Sequence, residues 1–241
     1  MRHLIVSTLI LFICLQNSQL MASEVIPAPK PDSHYTKVGF FDIHVCNWPD
    51  KDLFLMALLS TYDYKNINKI EVYTSENLKL GNIATAKYRI ILQKGKPEKR
   101  VFITQFAIPK TAGDGWYRSV ISMNDGSKYE AKDYVTLKKM DSPIGMNPKA
   151  DATLKEPPVK LTWKAVPGAK NYQVFIKDAW EQRTIHSSRI LNKTELRLPD
   201  GLLKKGGIYN WIVHARDVNE DVLLGDFNHG SLNSPIEFTI E

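Results

Sequence analysis

The stretch YNWIVHAR, residues 209–216, decides the fold class of this chain. Side chains along a β-strand point alternately to the two faces of a sheet. One face of such a strand carries Tyr209, Trp211, Val213 and Ala215, and the other carries Asn210, His214 and Arg216. A row of large apolar side chains backed by a polar row is typical of a half-buried strand, so the stretch predicts a β-sheet protein.

The same alternation extends upstream of this strand and outlines a β-rich C-terminal half. The alternating runs are Val159-x-Leu161-x-Trp163 and Tyr172-x-Val174-x-Ile176, and the turn signals are Pro167-Gly168-Ala169, Leu198-Pro199 and Gly206-Gly207. An early Trp strand, a Gly-Ala turn before Tyr-x-Val and a late Tyr-x-aromatic-x-Val-x-Ala strand together resemble a fibronectin type III domain. The resemblance covers residues 153–241.

Two residues carry specific expectations from this resemblance. We expect Trp163 to fill the centre between the two sheets. We expect Tyr209 to form a tyrosine corner, in which the ring packs in the core and the hydroxyl bonds back to the backbone.

The N-terminal half, residues 36–137, also shows recurrent strand signals. Asn124-Asp125-Gly126-Ser127 separates two alternating runs and predicts a hairpin, because glycine accepts the positive φ of a tight turn. Leu53–Leu59 is apolar enough for a buried strand or a short helix, and its β-rich neighbours favour a strand. Gly115-x-Tyr117 resembles an immunoglobulin-like tyrosine corner. This half resembles no more specific family, and the motifs of periplasmic pilus chaperones are not found in it.

Proline-rich segments suggest where the two halves begin. Residues 138–158 contain Pro143, Pro148, Pro157 and Pro158 and predict a linker, which could be rigid or flexible. Residues 24–35 predict an extended lead-in. The expected fold is all-β, with two tandem immunoglobulin-like or fibronectin type III-like sandwiches, a first at 36–137 and a second at 159–241.

The first 23 residues have the pattern of a signal peptide. Met1-Arg2-His3 is basic, Leu4–Leu15 is almost wholly apolar, and Leu20–Ser23 ends in small residues. The apolar run is shorter than the roughly 20 residues that span a bilayer. Cys14 lies inside this run, after Phe12-Ile13, where a lipoprotein signal would have small residues. We therefore expect export to the periplasm or cell exterior, from a bacterial source, with no membrane span in the mature chain.

The composition and charge of the chain limit the kinds of partner that we expect. The chain has 241 residues, 43% hydrophobic and 24% charged, with a formal net charge of +6 that is spread along the sequence. No basic stripe with interleaved aromatics is present, so a nucleic-acid partner is not expected. Cys46 is the one cysteine that follows the predicted signal peptide, and an internal disulfide is therefore excluded. No cofactor-binding motif is present, and no cofactor is expected.

The polar triplet Asp42, His44 and Cys46 lies on one face of a predicted strand. A His-x-Cys pair could supply two metal ligands or place a thiolate beside an imidazole. No further ligands can be assigned, unless folding brings His34, His214 or His229 close. A half-buried thiol beside polar neighbours is the simpler interpretation, and we predict no metal site.

Asp217, Asn219 and Asp221 resemble the start of a calcium loop. Val222 stands where an EF-hand needs glycine, and Asn228 stands where it needs glutamate. A polar loop between the last strands is therefore the better interpretation.

Phe175, Trp180 and Arg183 form the candidate binding surface. Phe175 points away from the face of Val174 and Ile176, and exposed aromatics beside polar groups can stack on sugar rings or anchor a partner. The alternative is that Phe175 packs under the interdomain contact or a crossing loop and that Trp180 covers a sandwich edge. Trp48 and Trp116 are expected in the first core.

These observations favour a non-catalytic binding or scaffold protein of the cell envelope that recognises a protein or a glycan. Two alternatives remain open: a subunit of a surface or secretion assembly, and an envelope enzyme or enzyme accessory that uses Cys46 and His44. The binding hypothesis depends on analogy from the fold, and a fold alone does not determine function.

Overall fold

The computed structural model describes residues 32–217 and 227–241, and within them the chain is all-β. The one helical element there is a short 3₁₀ helix, Tyr64–Asn66. No helix in the described residues is long and apolar enough to cross a membrane. The predicted signal peptide, residues 1–23, and residues 24–31 of the predicted lead-in lie outside this part of the chain.

Strands β1 to β9 build the first module. Their bounds are β1 Tyr35–Thr36, β2 Gly39–Asn47, β3 Phe54–Thr61, β4 Ile67–Tyr73, β5 Lys79–Asn82, β6 Tyr88–Ile91, β7 Lys99–Ala107, β8 Gly115–Met123 and β9 Lys128–Val135. A sheet in the order β5-β4-β8-β9 faces the strands β2-β3-β7-β6 of a larger sheet. Alternate side chains of the two sheets enclose the first core, including Phe41, Leu55, Ile70, Phe102 and Ile121.

Two local predictions for this module are confirmed. Leu53–Leu59 is a strand in all but its first residue, since β3 begins at Phe54. The tight turn between β8 and β9 contains Gly126 at a φ of 86°, which is the left-handed conformation that a side chain disfavours. One prediction is wrong: Trp116 is 53% exposed and packs edge-on against Tyr134 on the outside of the module.

Strands β10 to β17 build the second module. Their bounds are β10 Ala152–Leu154, β11 Lys160–Thr162, β12 Asn171–Asp178, β13 Arg183–Ser187, β14 Glu195–Arg197, β15 Ile208–Arg216, β16 His229–Leu232 and β17 Ile236–Ile240. The pair β11-β14 faces β12, β15 and β17. Trp163 is 4% exposed in the second core, with its ring 6.4 Å from that of Trp211, as the sequence predicts.

Both predicted tyrosine corners are present. The Lys204 backbone N–H donates to the Tyr209 hydroxyl oxygen at 2.9 Å. The Tyr117 hydroxyl donates to the Gly113 carbonyl at 3.0 Å. Burial raises the pKa of Tyr117 to about 12, so this hydroxyl keeps its proton and remains a donor. The all-β, tandem immunoglobulin-like architecture is thus observed.

The two modules share one sheet. Strand β16 of the second module pairs in parallel with β2 of the first, which produces an eleven-stranded sheet. The Val45 backbone N–H donates to the Asn228 carbonyl at 2.8 Å immediately before this pair. The cores remain separate on either side of the junction, but backbone hydrogen bonds join the sheets that cover them.

Residues 138–158, predicted as a linker, also connect the modules through specific contacts. The Asn47 side-chain amide donates to the Met140 carbonyl at 2.8 Å, and the Ser231 hydroxyl donates to the Asp141 carbonyl at 2.7 Å. Met140 is buried in the second core. Strand β10, within the same segment, pairs in parallel with β17. This segment is therefore an ordered part of the second module rather than a free tether.

Candidate binding cavity

A cavity of about 750 Å³ lies on the face of the shared sheet that points away from both cores. The strands contribute alternate side chains to this face, so the residues that line the cavity are the ones that the cores do not use. Both modules supply them, including His44, Met56, Gln105, Gln173, His214 and Arg216. The cavity is lined by residues of β6, at one end of the sheet, and by residues of β12, near its other end. The sheet therefore curves around the cavity.

His44 is held at the cavity by a carboxylate and a ring. Its Nε2 lies 2.7 Å from an oxygen of the buried Asp42 side chain. The Phe227 ring lies over the imidazole with 3.7 Å between ring centroids. The predicted proximity of Asp42 and His44 on one strand face is therefore observed, and both groups are fixed rather than exposed to solvent.

Arg216 is held by neutral partners. Its Nε donates to Nδ1 of His214 at 3.1 Å, and its Nη2 donates to the Gln173 side-chain oxygen at 2.6 Å. The guanidinium carbon lies 5.1 Å from the Phe227 ring centroid. Burial lowers the pKa of Arg216 to about 10, so the side chain is still charged at neutral pH.

His214 is a neutral imidazole at this position. Burial is the main cause that holds its pKa well below the ordinary 6.5, and the nearby Arg216 adds to the effect. Because Nδ1 accepts from Arg216, the ring proton is on Nε2. Nε2 has no hydrogen-bond partner within the described residues.

Aromatic side chains form much of the remaining cavity wall. Phe175, one of the binding residues predicted from the sequence, lies on β12 opposite Ile212. Its side chain is half-buried and lines the cavity. Trp48 lines it from the first module, and its ring packs edge-on against Phe54 at 4.9 Å. The expectation that Trp48 belongs to the first core is wrong, because it lies on the opposite face of the sheet.

The other two predicted binding residues lie elsewhere. Trp180 is 87% exposed at the turn of the β12-β13 hairpin. The Asp178 carboxylate accepts from the backbone N–H groups of Trp180 and Glu181 at 2.9 Å each, which fixes this turn. Arg183 pairs with Glu181 at 2.9 Å. Phe175 thus belongs to the cavity, whereas Trp180 and Arg183 belong to the hairpin.

Cys46 is fully buried and unsuited to thiolate chemistry. Its sulfur lies 3.9 Å from the His44 carbonyl oxygen. Burial is the main reason that its pKa rises to about 12, so the thiol is protonated at neutral pH. The hypothesis of a thiolate next to an imidazole does not fit this arrangement.

A second, partly buried polar cluster surrounds His34. His34 Nδ1 lies 2.6 Å from Asp32 and its Nε2 lies 3.1 Å from Asp133, and the other Asp133 oxygen accepts from the Ile43 backbone N–H at 2.8 Å. Hydrogen bonding to Asp133 is the main cause that raises the pKa of His34 to about 10. Ligand atoms of His34, Asp42 and Asp133 lie within 4.8 Å of one another. Both ring nitrogens of His34 are already hydrogen-bonded to carboxylates, Nδ1 to Asp32 and Nε2 to Asp133.

A fourth histidine, His229, links the modules. His229 Nδ1 lies 2.7 Å from the Asp217 carboxylate, and Nε2 lies 2.7 Å from the Thr136 carbonyl. The hydrogen bond to Asp217 is the main cause that raises the pKa of His229. Asp217 is therefore engaged with a histidine, and the remaining residues of the calcium-like pattern, Asn219 and Asp221, lie outside the described residues.

Sequence reasoning placed His214 and Arg216 on the correct face, but it considered His214 only as a possible metal ligand and did not identify Arg216 as a site residue. The signal was present, because an imidazole and a guanidinium stand two residues apart on the polar face of the most regular strand. Their partner Gln173 is distant in sequence, 43 residues before Arg216. Only the pairing of β12, β15, β16 and β2 brings these groups together.

No protein-family model and no curated protein match this chain. Several solved structures overlap most of it at low identity. The chicken CNTN1 FN1-FN3 domains are 13% identical, with a TM-score of 0.34, over 83% of this chain and 66% of that one. Dpr11 IG1 bound to DIP-gamma IG+IG2 is 15% identical, with a TM-score of 0.24, over 83% and 96%.

A third similar structure is the Bacteroides ovatus mixed-linkage glucan utilization locus protein SGBP-B in complex with a mixed-linkage heptasaccharide. It is 15% identical, with a TM-score of 0.24, over 89% of this chain and 46% of that one. This chain thus spans less than two thirds of the first of these structures and about half of the third. With TM-scores below 0.5, nothing about the ligand of this chain follows from them.

Proposed function

We propose that this chain is an exported, non-catalytic binding protein of the cell envelope that holds its ligand in the cavity on the shared sheet. The observation that carries the proposal is the cavity itself. Its volume of about 750 Å³ falls within the roughly 300–1,000 Å³ that is typical of small-molecule sites. An aromatic wall with a few oriented polar groups is the usual composition of such a site.

The shape of the site favours a small ligand or the end of a chain over a broad protein surface. Phe175 and Trp48 both line the cavity, one from each module. Aromatic faces stack on sugar rings and also accept apolar side chains. The ligand is thus a glycan or a short protein segment that enters the concave face of the sheet.

The alternative of an envelope enzyme has less support. Cys46 is buried and protonated, as described above. Among the described residues that line the cavity there is no serine, threonine or cysteine to act as a nucleophile.

The alternative of an assembly subunit depends on the β12-β13 hairpin. Trp180 is exposed at a turn whose backbone is already fixed by Asp178, so a partner could bind it with little ordering cost. In this alternative, Trp180 and Arg183 form the contact with a neighbouring protein of the assembly.

A comparison of two aromatic variants tests the proposal. The full chain, in its exported form, would be screened against immobilised envelope glycans and peptides. The ligand that binds would then be titrated into wild type and Phe175→Ala. We expect an affinity loss of about tenfold or more, because a buried aromatic contact contributes over 1 kcal/mol.

Trp116→Ala is the matched control, since it removes an exposed aromatic on the outside of the first module. It should bind like wild type. If Phe175→Ala binds normally and Trp180→Ala does not, the cavity proposal is wrong and the hairpin alternative is favoured.

A further inference from the structure

We propose that the ligand in this cavity carries an oxyanion, namely a carboxylate, sulfate or phosphate group, which binds beside Arg216, Arg89 and Lys87. This inference rests on the proposed function, because it names the chemical class of the ligand in the same cavity.

The first argument is the balance of charge. Lys87, Arg89 and Arg216 all line the cavity, and no aspartate or glutamate is among the described residues that line it. None of the three cations forms an ion pair within the described part of the chain, although ion pairs are common elsewhere in it. A cavity with one sign of charge concentrates ligands of the opposite sign.

The second argument is the position of Arg216. Its guanidinium is oriented by Gln173, His214 and Phe227, which are all neutral groups. Within the described residues its Nη1 makes no hydrogen bond, and we assign this donor to the ligand. Removing a charge from water without a counter-charge is costly, and a bound oxyanion would supply that counter-charge.

The third argument is the repulsion between two of these cations. Arg89 is close enough to Arg216 to lower its pKa, so the two cations repel one another. Cys46, whose thiolate would offset the charge of Arg216, is protonated at neutral pH. An anion between Arg216 and Arg89 would relieve this repulsion.

The part of the ligand outside the oxyanion must have an apolar surface, because the cavity lining is largely apolar. Phe175, Trp48, Met56 and Ile103 line the cavity around the cations. The fitting ligand therefore combines an oxyanion with a ring or apolar face, as an acidic sugar or an acidic peptide end does.

Two fluorescent dyes that differ by one charged group provide the test. 8-Anilinonaphthalene-1-sulfonate carries a sulfonate, and N-phenyl-1-naphthylamine has the same rings without it. Both would be titrated into the full exported chain, and we expect the sulfonate dye to bind at least about tenfold more tightly. Such a ratio corresponds to about 1.4 kcal/mol.

Single-residue variants then test which side chains cause the preference for the sulfonate dye. Arg216→Gln should lower the affinity for the sulfonate dye by about 10- to 100-fold, as expected for the loss of a hydrogen bond to a charged group. It should change the affinity for the neutral dye by less than about threefold. Arg216→Lys should recover part of the loss. Arg89→Gln removes a charge from an exposed position, where the substitution should not disturb folding. It can therefore replace Arg216→Gln in the test if that variant fails to fold. Lys160→Gln, an exposed lysine remote from the cavity lining, is the charge-matched control.

Displacement of the sulfonate dye would then identify the source of the oxyanion. Glucuronate would be compared with glucose, N-acetylglutamate with N-acetylglutamine, and inorganic phosphate with sodium chloride. A charged competitor that acts more strongly than its neutral counterpart supports the inference, and the best of them indicates a sugar, a peptide or a phosphate ligand. Failure of every anion to displace the dye would overturn it.

The two proposals fail in different ways. Equal binding of both dyes, unaffected by Arg216→Gln and Arg89→Gln, would overturn the oxyanion assignment and leave the cavity proposal standing. If neither dye binds, both proposals are wrong.

Discussion

Gly230 lies directly opposite Cys46 in the parallel pair that joins the two modules. A Cβ atom at Gly230 would lie 2.6 Å from a Phe227 ring carbon and 2.7 Å from His214 Nε2. Contacts this short require neighbouring atoms to move. The absence of a side chain at Gly230 therefore lets Phe227 and His214 pack against the backbone at the point where the two sheets become one.

Replacing Gly230 with alanine should disturb both the junction and the cavity. We expect Gly230→Ala to lower the free energy of unfolding by about 1–3 kcal/mol, the usual cost of overpacking. Because Phe227 and His214 line the cavity, ligand or dye binding should also weaken. Urea unfolding and dye titration measure the two effects. Ser234→Ala, at a nearby exposed position, is the control, and a Gly230→Ala variant with unchanged stability would contradict the packing described here.

The tyrosine corners test whether the modules unfold together. Tyr209→Phe and Tyr117→Phe should each lower the free energy of unfolding by about 1 kcal/mol, because each removes the partly buried hydrogen bonding of a tyrosine hydroxyl to the backbone. Since β16 continues the sheet of β2, we expect one cooperative transition that both variants shift. Tyr134→Phe, half exposed beside Trp116, should have little effect. Two separate transitions, each sensitive to one variant, would show that the shared sheet does not couple the modules.

Much of the fold could be predicted because it depends on local patterns. The alternation of apolar and polar residues predicted β12 and β15, and the preference of glycine for positive φ predicted the β8-β9 turn. Short sequence motifs predicted both tyrosine corners. These signals depend on a few neighbouring residues. The parallel pairing of β16 with β2 joins residues more than 180 positions apart in sequence, and no local pattern encodes it.

The site was harder to predict for the same reason. Phe175 was identified from its position on the outer face. His214 and Arg216 join it in the cavity lining through the pairing of β12 with β15, and Trp48 joins it only because the shared sheet brings the two modules together. Trp116 was misplaced because large aromatics are usually buried, whereas this one packs on Tyr134 at the surface. Apolar character predicts burial on average and does not say which face of a strand is covered.

The charge on His34 should make stability depend on pH. Its pKa is raised from 6.5 to about 10 in the folded protein, chiefly by the hydrogen bond to Asp133. A raised histidine pKa stabilises the fold fully below about pH 6.5, and this stabilisation is lost as the pH rises toward 10. His34 is partly accessible to solvent, so we expect a contribution of only about 1–2 kcal/mol.

The measurement compares wild type with His34→Gln by urea unfolding at several pH values. The difference in stability between them should be largest near pH 6 and should shrink toward pH 10. His186→Gln controls for the loss of a histidine at a half-buried position. A difference that stays constant across this range would show that His34 is not charged between Asp32 and Asp133.

The burial of Cys46 predicts a thiol that reacts only when the protein opens. With Cys14→Ser, Cys46 is the single cysteine, and its pKa of about 12 leaves almost no thiolate at pH 7. We expect reaction with a disulfide reagent to be at least about a hundredfold slower in the native protein than in urea, since the sulfur is reached only by local or global unfolding. Gly230→Ala, which disturbs the strand opposite Cys46, should speed the native reaction, whereas Ser234→Ala should not. Rapid native labelling with an apparent pKa below 8 would contradict the buried thiol and revive a catalytic role for Cys46 beside His44.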